Sequence, residues 1–220
     1  MTPYQAFLFA RAIYSPIQSA KFGHVLTVGD LTVGLAYEAD GNTIAALPGS
    51  QRKVDFEDDA DMLPFDAGPL GMVHGGSYRG MPALFEAILP YVEGELSIVG
   101  HSLGAMRAGQ LAGLCAIGNV PVAQLFMYEP AKPGYARLGD LVRAHVPFIL
   151  GTRNARDFVP DMPPVWPFPY RHIVDLVDLD YPAPGVDPIE DHLLDQIGPA
   201  VLLHWPDPEY APDSAHAGSA

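Results

Sequence analysis

Leu96-Ser97-Ile98-Val99-Gly100-His101-Ser102-Leu103-Gly104-Ala105 is the stretch that decides how this chain folds. Leu96, Ile98 and Val99 form a short apolar run of the kind that makes a buried strand. Ala105, Met106, Ala108, Leu111, Ala112 and Leu114 follow at helical spacing. Between them lies Gly100-His101-Ser102-Leu103-Gly104, a G-x-S-x-G pentad. Strand, sharp turn and helix together are the context in which that pentad lifts a serine hydroxyl clear of the backbone. The turn is tight enough that side chains two residues either side of Ser102 would collide with each other or with the flanking elements, so glycine is needed at both places. The same turn aims the Leu103 N–H, at the helix N-terminus, toward any oxygen that gains negative charge nearby. The alternative is that Ser102 merely caps the helix.

The rest of the composition sets the class. A chain of 220 residues with 49% hydrophobic and 17% charged content fits one globular domain with a real core. A formal charge of -14 opposes binding to nucleic acid and docking on anionic lipid. Cys115 is the only cysteine, so no intrachain disulfide and no cysteine-rich metal site is available. H-E-x-x-H, paired C-x-x-C and P-loop patterns are absent, so neither metal nor cofactor is expected. No basic n-region and no run long enough to span a membrane is seen, and the expected location is cytoplasmic.

Taken in order, residues 3–14 read as a helix. Val25–Val28, Leu31–Tyr37 and Asn42–Leu47 read as strands, with Asp40-Gly41 as a hairpin turn between the last two. The interval 51–71 is acidic at Asp55, Glu57, Asp58, Asp59 and Asp61, with a short helix over 54–62 and loop beyond. Met81–Val92 is amphipathic and helical. After the pentad come a strand over Val122–Met127, closed by Glu129-Pro130, a helix over Ala136–His145 and a strand over Val146–Leu150. Residues 151–169 read as loop, Arg171–Leu179 as strand and Glu190–Leu203 as helix. The alternation predicts a mostly parallel central sheet, an antiparallel N-terminal hairpin and helices on both faces. The domain should cover 1–205, with a mobile tail over 206–220.

A serine hydroxyl needs a base to take its proton, and the base is usually a histidine steadied by a carboxylate. In the fold class that the alternation predicts, the serine comes first along the chain, with the acid and then the histidine after it. Asp157 hangs from the loop that directly follows a buried strand. Among the later histidines, His192 stands where a loop enters the last helix and is favoured over His172 and His204, because loops at strand ends carry catalytic groups. His216 lies in the expected tail, and His145 precedes the acid.

Four local patterns make the chain resemble the class 3 (fungal-type) lipases of the α/β-hydrolase fold. Leu47-Pro48-Gly49-Ser50 followed by Asp55-Phe56 is similar to the family's F-R-G-[ST]…D-W. Val73-His74-Gly75-Gly76 is similar to V-H-x-G-F. Gly100-His101-Ser102-Leu103-Gly104 matches G-H-S-L-G in full. Asn154, Asp157, Val159 and Pro160 are similar to N-x-x-D-x-V-P, with Tyr170 and His172 trailing as Y-x-H. The resemblance spans about residues 30 to 200. It implies Ser102, Asp157 and His192 as a catalytic triad, Ser50 and Leu103 at an oxyanion hole, and a structural His172. Two departures stand out: Leu47-Pro48-Gly49 replaces F-R-G, and the glycine after Gly104 is replaced by Ala105.

The expected activity is hydrolysis of carboxylic esters of small molecules or lipids, without stable membrane insertion. Other acyl hydrolases on the same scaffold (phospholipase, thioesterase, amidase) and a catalytically inactive binding module are the alternatives. Met62, Leu63 and Phe65 are expected either to line an acyl pocket or to pack into the core. The acidic interval before them is too poor in apolar residues for an amphipathic lid, so short, dissolved acyl chains are the expected substrates.

Overall fold

The computed structural model describes residues 1–15, 21–50, 62–179 and 191–210. The chain opens with helix α1 (Pro3–Ala12), started by a capping box in which Thr2 and Gln5 exchange side-chain-to-backbone bonds, with proline in the first turn. Strands β1 (His24–Val28), β2 (Leu31–Tyr37) and β3 (Thr43–Leu47) then pair antiparallel. A small hairpin of β4 (Pro64–Asp66) and β5 (Met72–His74) follows, where the sequence reads as loop. Next come the single turn α2 (Gly75–Tyr78) and helix α3 (Met81–Ile88). Strand β6 (Leu96–His101) leads into helix α4 (Leu103–Gly118). The remainder is β7 (Val122–Tyr128), α5 (Ala136–His145), β8 (Phe148–Arg153), β9 (Val177–Asp178) and α6 (Leu194–His204).

Among the described residues the main sheet runs β1-β2-β3-β6-β7-β8-β9, antiparallel through β3 and parallel from β3 onward. The hairpin edge and the parallel body agree with the sequence reading. Strand β6 is buried at every position because helices cover both sheet faces. Alternation divides the core. Ile44, Ala46, Val99, Phe126 and Tyr128 pack with Phe7 of α1 and Ile197 of α6. Ala45, Leu47, Ile98, Leu125 and Met127 pack with Leu84 of α3, Leu111 of α4 and Leu138 of α5. Cys115 is fully buried on the second side, and burial pushes its thiol up to about 12, leaving it inert.

Several bounds differ from the sequence reading. Strand β8 begins two residues later than expected and runs to Arg153, because Val146 is the C-cap of α5 and Pro147 has no N–H to give the sheet. The expected strand over 171–179 shrinks to Val177–Asp178, since Arg171 instead bridges to Gly134 and Ile173 turns into the core. The tail does not begin at 206. Asp207 is buried and accepts a 2.6 Å bond from the Thr2 hydroxyl, and Tyr210 packs edge-on against Tyr4, so residues 206–210 dock on α1. The acidic run 55–61 and His216 lie outside the described residues. No described helix is long and apolar enough to cross a membrane.

The two pentad glycines are set by contact. A Cβ on Gly100 would lie 2.3 Å from the Gly104 carbonyl oxygen, and one on Gly104 would lie 2.2 Å from the Leu47 carbonyl oxygen. Both neighbours are backbone and cannot swing aside. Gly104→Ala is therefore expected to destabilise the protein by about 3 kcal/mol or more, read as a drop in the denaturation midpoint at constant slope. An unchanged midpoint would mean that β3 and α4 are not in close contact.

Candidate active site

Three segments converge at the carboxyl end of the parallel strands. Ser102 stands between β6 and α4 with φ 58° and ψ -127°, a conformation that disfavours any residue with a side chain. Its backbone N–H is fixed by the Tyr128 carbonyl at 2.9 Å, and its carbonyl takes the first helical bonds from Ala105 and Met106. Its hydroxyl makes no capping bond, and Oγ, although buried, has no hydrogen-bond partner among the described residues. A serine that only caps a helix would accept from the first turn. This one is presented instead.

Asp157 and His192 are joined directly. His192 Nδ1–H donates to Asp157 Oδ2 at 2.5 Å, and Asp157 Oδ1 accepts from the Val159 N–H at 2.9 Å. Asp157 is fully buried and His192 nearly so. His192 stands two residues before α6, and its ring lies 4.8 Å from that of His101, the residue preceding Ser102. The segment is pinned from two sides: Asn154 Nδ2 donates to the Asp191 carbonyl at 2.9 Å, and His101 Nε2 meets the His192 carbonyl at 3.0 Å.

The second of these contacts fixes a proton. A carbonyl only accepts, so His101 Nε2 carries the hydrogen and Nδ1 is an acceptor. Tyr14 therefore donates its hydroxyl to His101 Nδ1 at 3.0 Å, while accepting from the Gly49 N–H at 2.5 Å. Burial, then the nearby His192, pushes the His101 pKa well down, which keeps the ring neutral. One chain of bonds thus ties Gly49, Tyr14, His101 and the His192 backbone together. Sequence reasoning passed over Tyr14 and His101; an x-His-Ser pentad beside an N-terminal tyrosine carries no spacing signal that links them.

Ser50 and Leu103 flank the serine. A Cβ on Gly49 would lie 3.0 Å from the Ser102 Cβ, so the Pro48-Gly49-Ser50 turn runs against the elbow. Leu103 opens α4, whose first N–H groups have no partner within the helix. It also lines an apolar cleft, together with Met62, His74, Met106, Phe158 and Val159. Leu63 and Phe65 do not line it. They are 60% and 53% exposed, because β4 pairs only with β5 and lies off the main sheet. They belong neither to the cleft nor to the core.

The other described histidines that follow Ser102 are engaged elsewhere. His172 Nε2–H donates to the Pro160 carbonyl at 2.8 Å, His204 to the Leu179 carbonyl at 3.0 Å and His145 to the Val120 carbonyl at 2.8 Å. Asp161 pairs with Arg153 at 2.6 Å, and Asp175 and Asp178 are exposed.

Glu129 is the residue the sequence reading left out. It follows β7 directly, is fully buried and has φ 52°. One carboxyl oxygen accepts from the Thr152 hydroxyl at 3.1 Å and the other from the Asn154 N–H at 2.7 Å. Burial, then the charge of Asp157, pushes its pKa well above the usual carboxylate range. An acid placed straight after an apolar strand was the available signal, but Glu129-Pro130 reads first as a strand stop.

No family model and no curated protein matches the chain by sequence. Solved structures do. A fungal lipase superposes with a TM-score of 0.62 at 18% identity, covering 84% of this chain and 81% of its own. A triacylglycerol lipase from Penicillium expansum gives 0.57 at 18%, covering 78% and 79%. A triacylglycerol lipase whose catalytic centre is described as a serine protease triad gives 0.53 at 18%, covering 74% and 72%. The chain has the α/β-hydrolase fold of the fungal lipases.

Proposed function

We propose that this protein is a serine carboxylic-ester hydrolase without a cofactor. The observation that carries the reading is a buried Asp157–His192 pair beside a serine held at positive φ with its hydroxyl uncommitted. Ser102 Oγ attacks the ester carbonyl carbon while His192 Nε2 takes its proton. Asp157 holds the imidazole through Nδ1 and stabilises its cationic form. The carbonyl oxygen, now negative, is received by the Leu103 N–H and by Ser50 through its N–H and hydroxyl. The imidazolium returns its proton to the departing alcohol, leaving an acyl-enzyme. Water, deprotonated by His192, then releases the acid. A fluorophosphonate probe tests the reading: it should label Ser102 in the wild type, and failure to label a folded sample would leave the inactive binding module.

The acyl group is placed in the apolar cleft beside Leu103, and the net charge of -14, which opposes docking on anionic lipid, supports short, dissolved chains. A series of nitrophenyl esters, run beside an emulsified long-chain triglyceride, checks this. The rate should fall with chain length, with no jump on the emulsion. Strong activation by the emulsion would make the segment before Met62 a working lid.

Ser50→Ala is expected to lower kcat by roughly 10- to 1,000-fold with little change in KM, since a hydroxyl aimed at the oxyanion acts chiefly in the transition state. A rise in KM alone would assign Ser50 to ordinary substrate binding.

A further inference from the structure

His192 is held by its backbone as well as by its ring. The Asp191 carbonyl, on the peptide that enters His192, accepts from Asn154 Nδ2–H at 2.9 Å. The His192 carbonyl, on the peptide that leaves it, accepts from His101 Nε2–H at 3.0 Å. A peptide unit is planar, so each residue has only two soft backbone torsions, φ and ψ. Fixing the planes on both sides of His192 fixes both torsions, and with them the direction in which its Cβ leaves the chain. The two donors come from the other two segments of the site. His101 directly precedes Ser102, and Asn154 lies three residues before Asp157.

Asn154 is the first residue after β8 and is fully buried. Both of its backbone polar groups are committed: the N–H donates to Glu129 Oε2 at 2.7 Å, and the carbonyl accepts from the Asp157 N–H at 3.0 Å. One turn thus carries the acid and reaches the segment of the base. Chemistry settles which end of the amide faces Asp191, because a carbonyl only accepts and must meet Nδ2. Oδ1 is buried with no hydrogen-bond partner among the described residues. An apolar side chain of similar shape would leave no such orphan, so what the amide contributes here is its N–H. Arg156, in the same turn, also reaches Asp191, but at the carboxylate: through its backbone N–H at 3.3 Å and its Nε at 3.7 Å. Those contacts are long and act on a side chain that can rotate. The Asn154 bond holds the peptide plane itself.

We propose that Asn154 is a positioning residue for His192: by holding the Asp191 carbonyl from the turn that bears Asp157, it sets the distance and angle at which the imidazole meets the carboxylate. Without that N–H, the Asp191–His192 peptide can rotate and carry Nδ1 away from Asp157 Oδ2. The proposal rests on His192 being the base of the ester-hydrolase reading.

Asn154→Leu tests it, with Asn154→Ala beside it. Leucine keeps the branch point and removes both the N–H and the orphaned Oδ1. Activity per folded molecule and the proton NMR spectrum are read together. The His192 Nδ1–H, in a bond of 2.5 Å to a carboxylate, should resonate far downfield, and loss of the signal in Asp157→Asn identifies it. In folded N154L that resonance should move or broaden away, kcat on a soluble ester should fall by roughly 10- to 100-fold, and KM should stay within about twofold. A residue that serves only the stability of the fold would change the unfolded fraction and neither of these readouts. A folded variant with the resonance at its wild-type position would overturn the proposal, as would a kcat per folded molecule within about twofold of wild type, or a loss confined to KM. If the slightly larger leucine prevents folding, N154A, which forces nothing apart, decides alone. The resonance needs no substrate. A wild type that a fluorophosphonate does not label at Ser102 would remove the ester-hydrolase reading and still leave the resonance series to be read. A labelled wild type with an unmoved resonance in N154L would remove this proposal alone.

Discussion

Ser102→Ala is expected to lower kcat on a soluble ester by at least about 10⁴-fold while leaving the melting temperature unchanged or slightly raised. The separation of the two effects follows from the geometry. The Ser102 hydroxyl makes no cap bond and no other hydrogen bond among the described residues, so its removal takes nothing from the folded state. The Cβ remains, and φ 58° is equally unfavourable for alanine and serine, so the backbone strain cancels between the two proteins. What is lost is the atom proposed to form the acyl-enzyme. Some rate above water should survive, because the oxyanion donors proposed at Ser50 and Leu103 would still polarise a bound ester. Activity assays paired with thermal unfolding check both halves. A folded variant with more than about a tenth of wild-type activity would show that another group is the nucleophile.

The parts of the site that were legible in the sequence are those fixed by local chemistry. The elbow could be read because each glycine answers a contact within a few residues or across one strand pair. Asp157 could be read because a strand end and a chain order restrict the acid, and His192 because it follows the last strand at the mouth of a helix. The fold class came from alternation, which parallel packing between helices enforces over the whole sheet. What was not legible depends on pairings remote in sequence. Tyr14 reaches His101 across 87 residues, and Glu129 meets Thr152 across 23. Neither distance leaves a period or motif. Leu63 and Phe65 were misplaced for a related reason: apolar side chains suggest burial, but β4 is the outer strand of a hairpin off the main sheet, and only its partner β5 reaches the core through Val73. Residues 206–210 look like tail by composition, yet one carboxylate, Asp207, finds the Thr2 hydroxyl and holds the segment against α1.

His192→Ala and Asp157→Asn should each cut kcat by orders of magnitude, and adding either to Ser102→Ala should cost almost nothing more. Groups that act as a unit fail as a unit. His192 is the only described histidine bonded to Asp157, and its ring stands against His101, next to Ser102 in the chain. Asp157→Asn keeps the shape but turns an acceptor that holds Nδ1–H into a group that can offer a donor. The imidazole then loses both its tautomer and its counter-charge, and a loss of about 10³- to 10⁴-fold is expected. His172→Ala is the control. Its Nε2–H serves the Pro160 carbonyl, and the variant should lose about 1 kcal/mol of stability with kcat nearly intact. Multiplicative losses on combining Ser102→Ala with His192→Ala would mean the two side chains do not act together. A folded His172→Ala variant that is dead, beside an active His192→Ala, would move the base to His172 and with it the acid, since His172 bonds to Pro160 and not to Asp157.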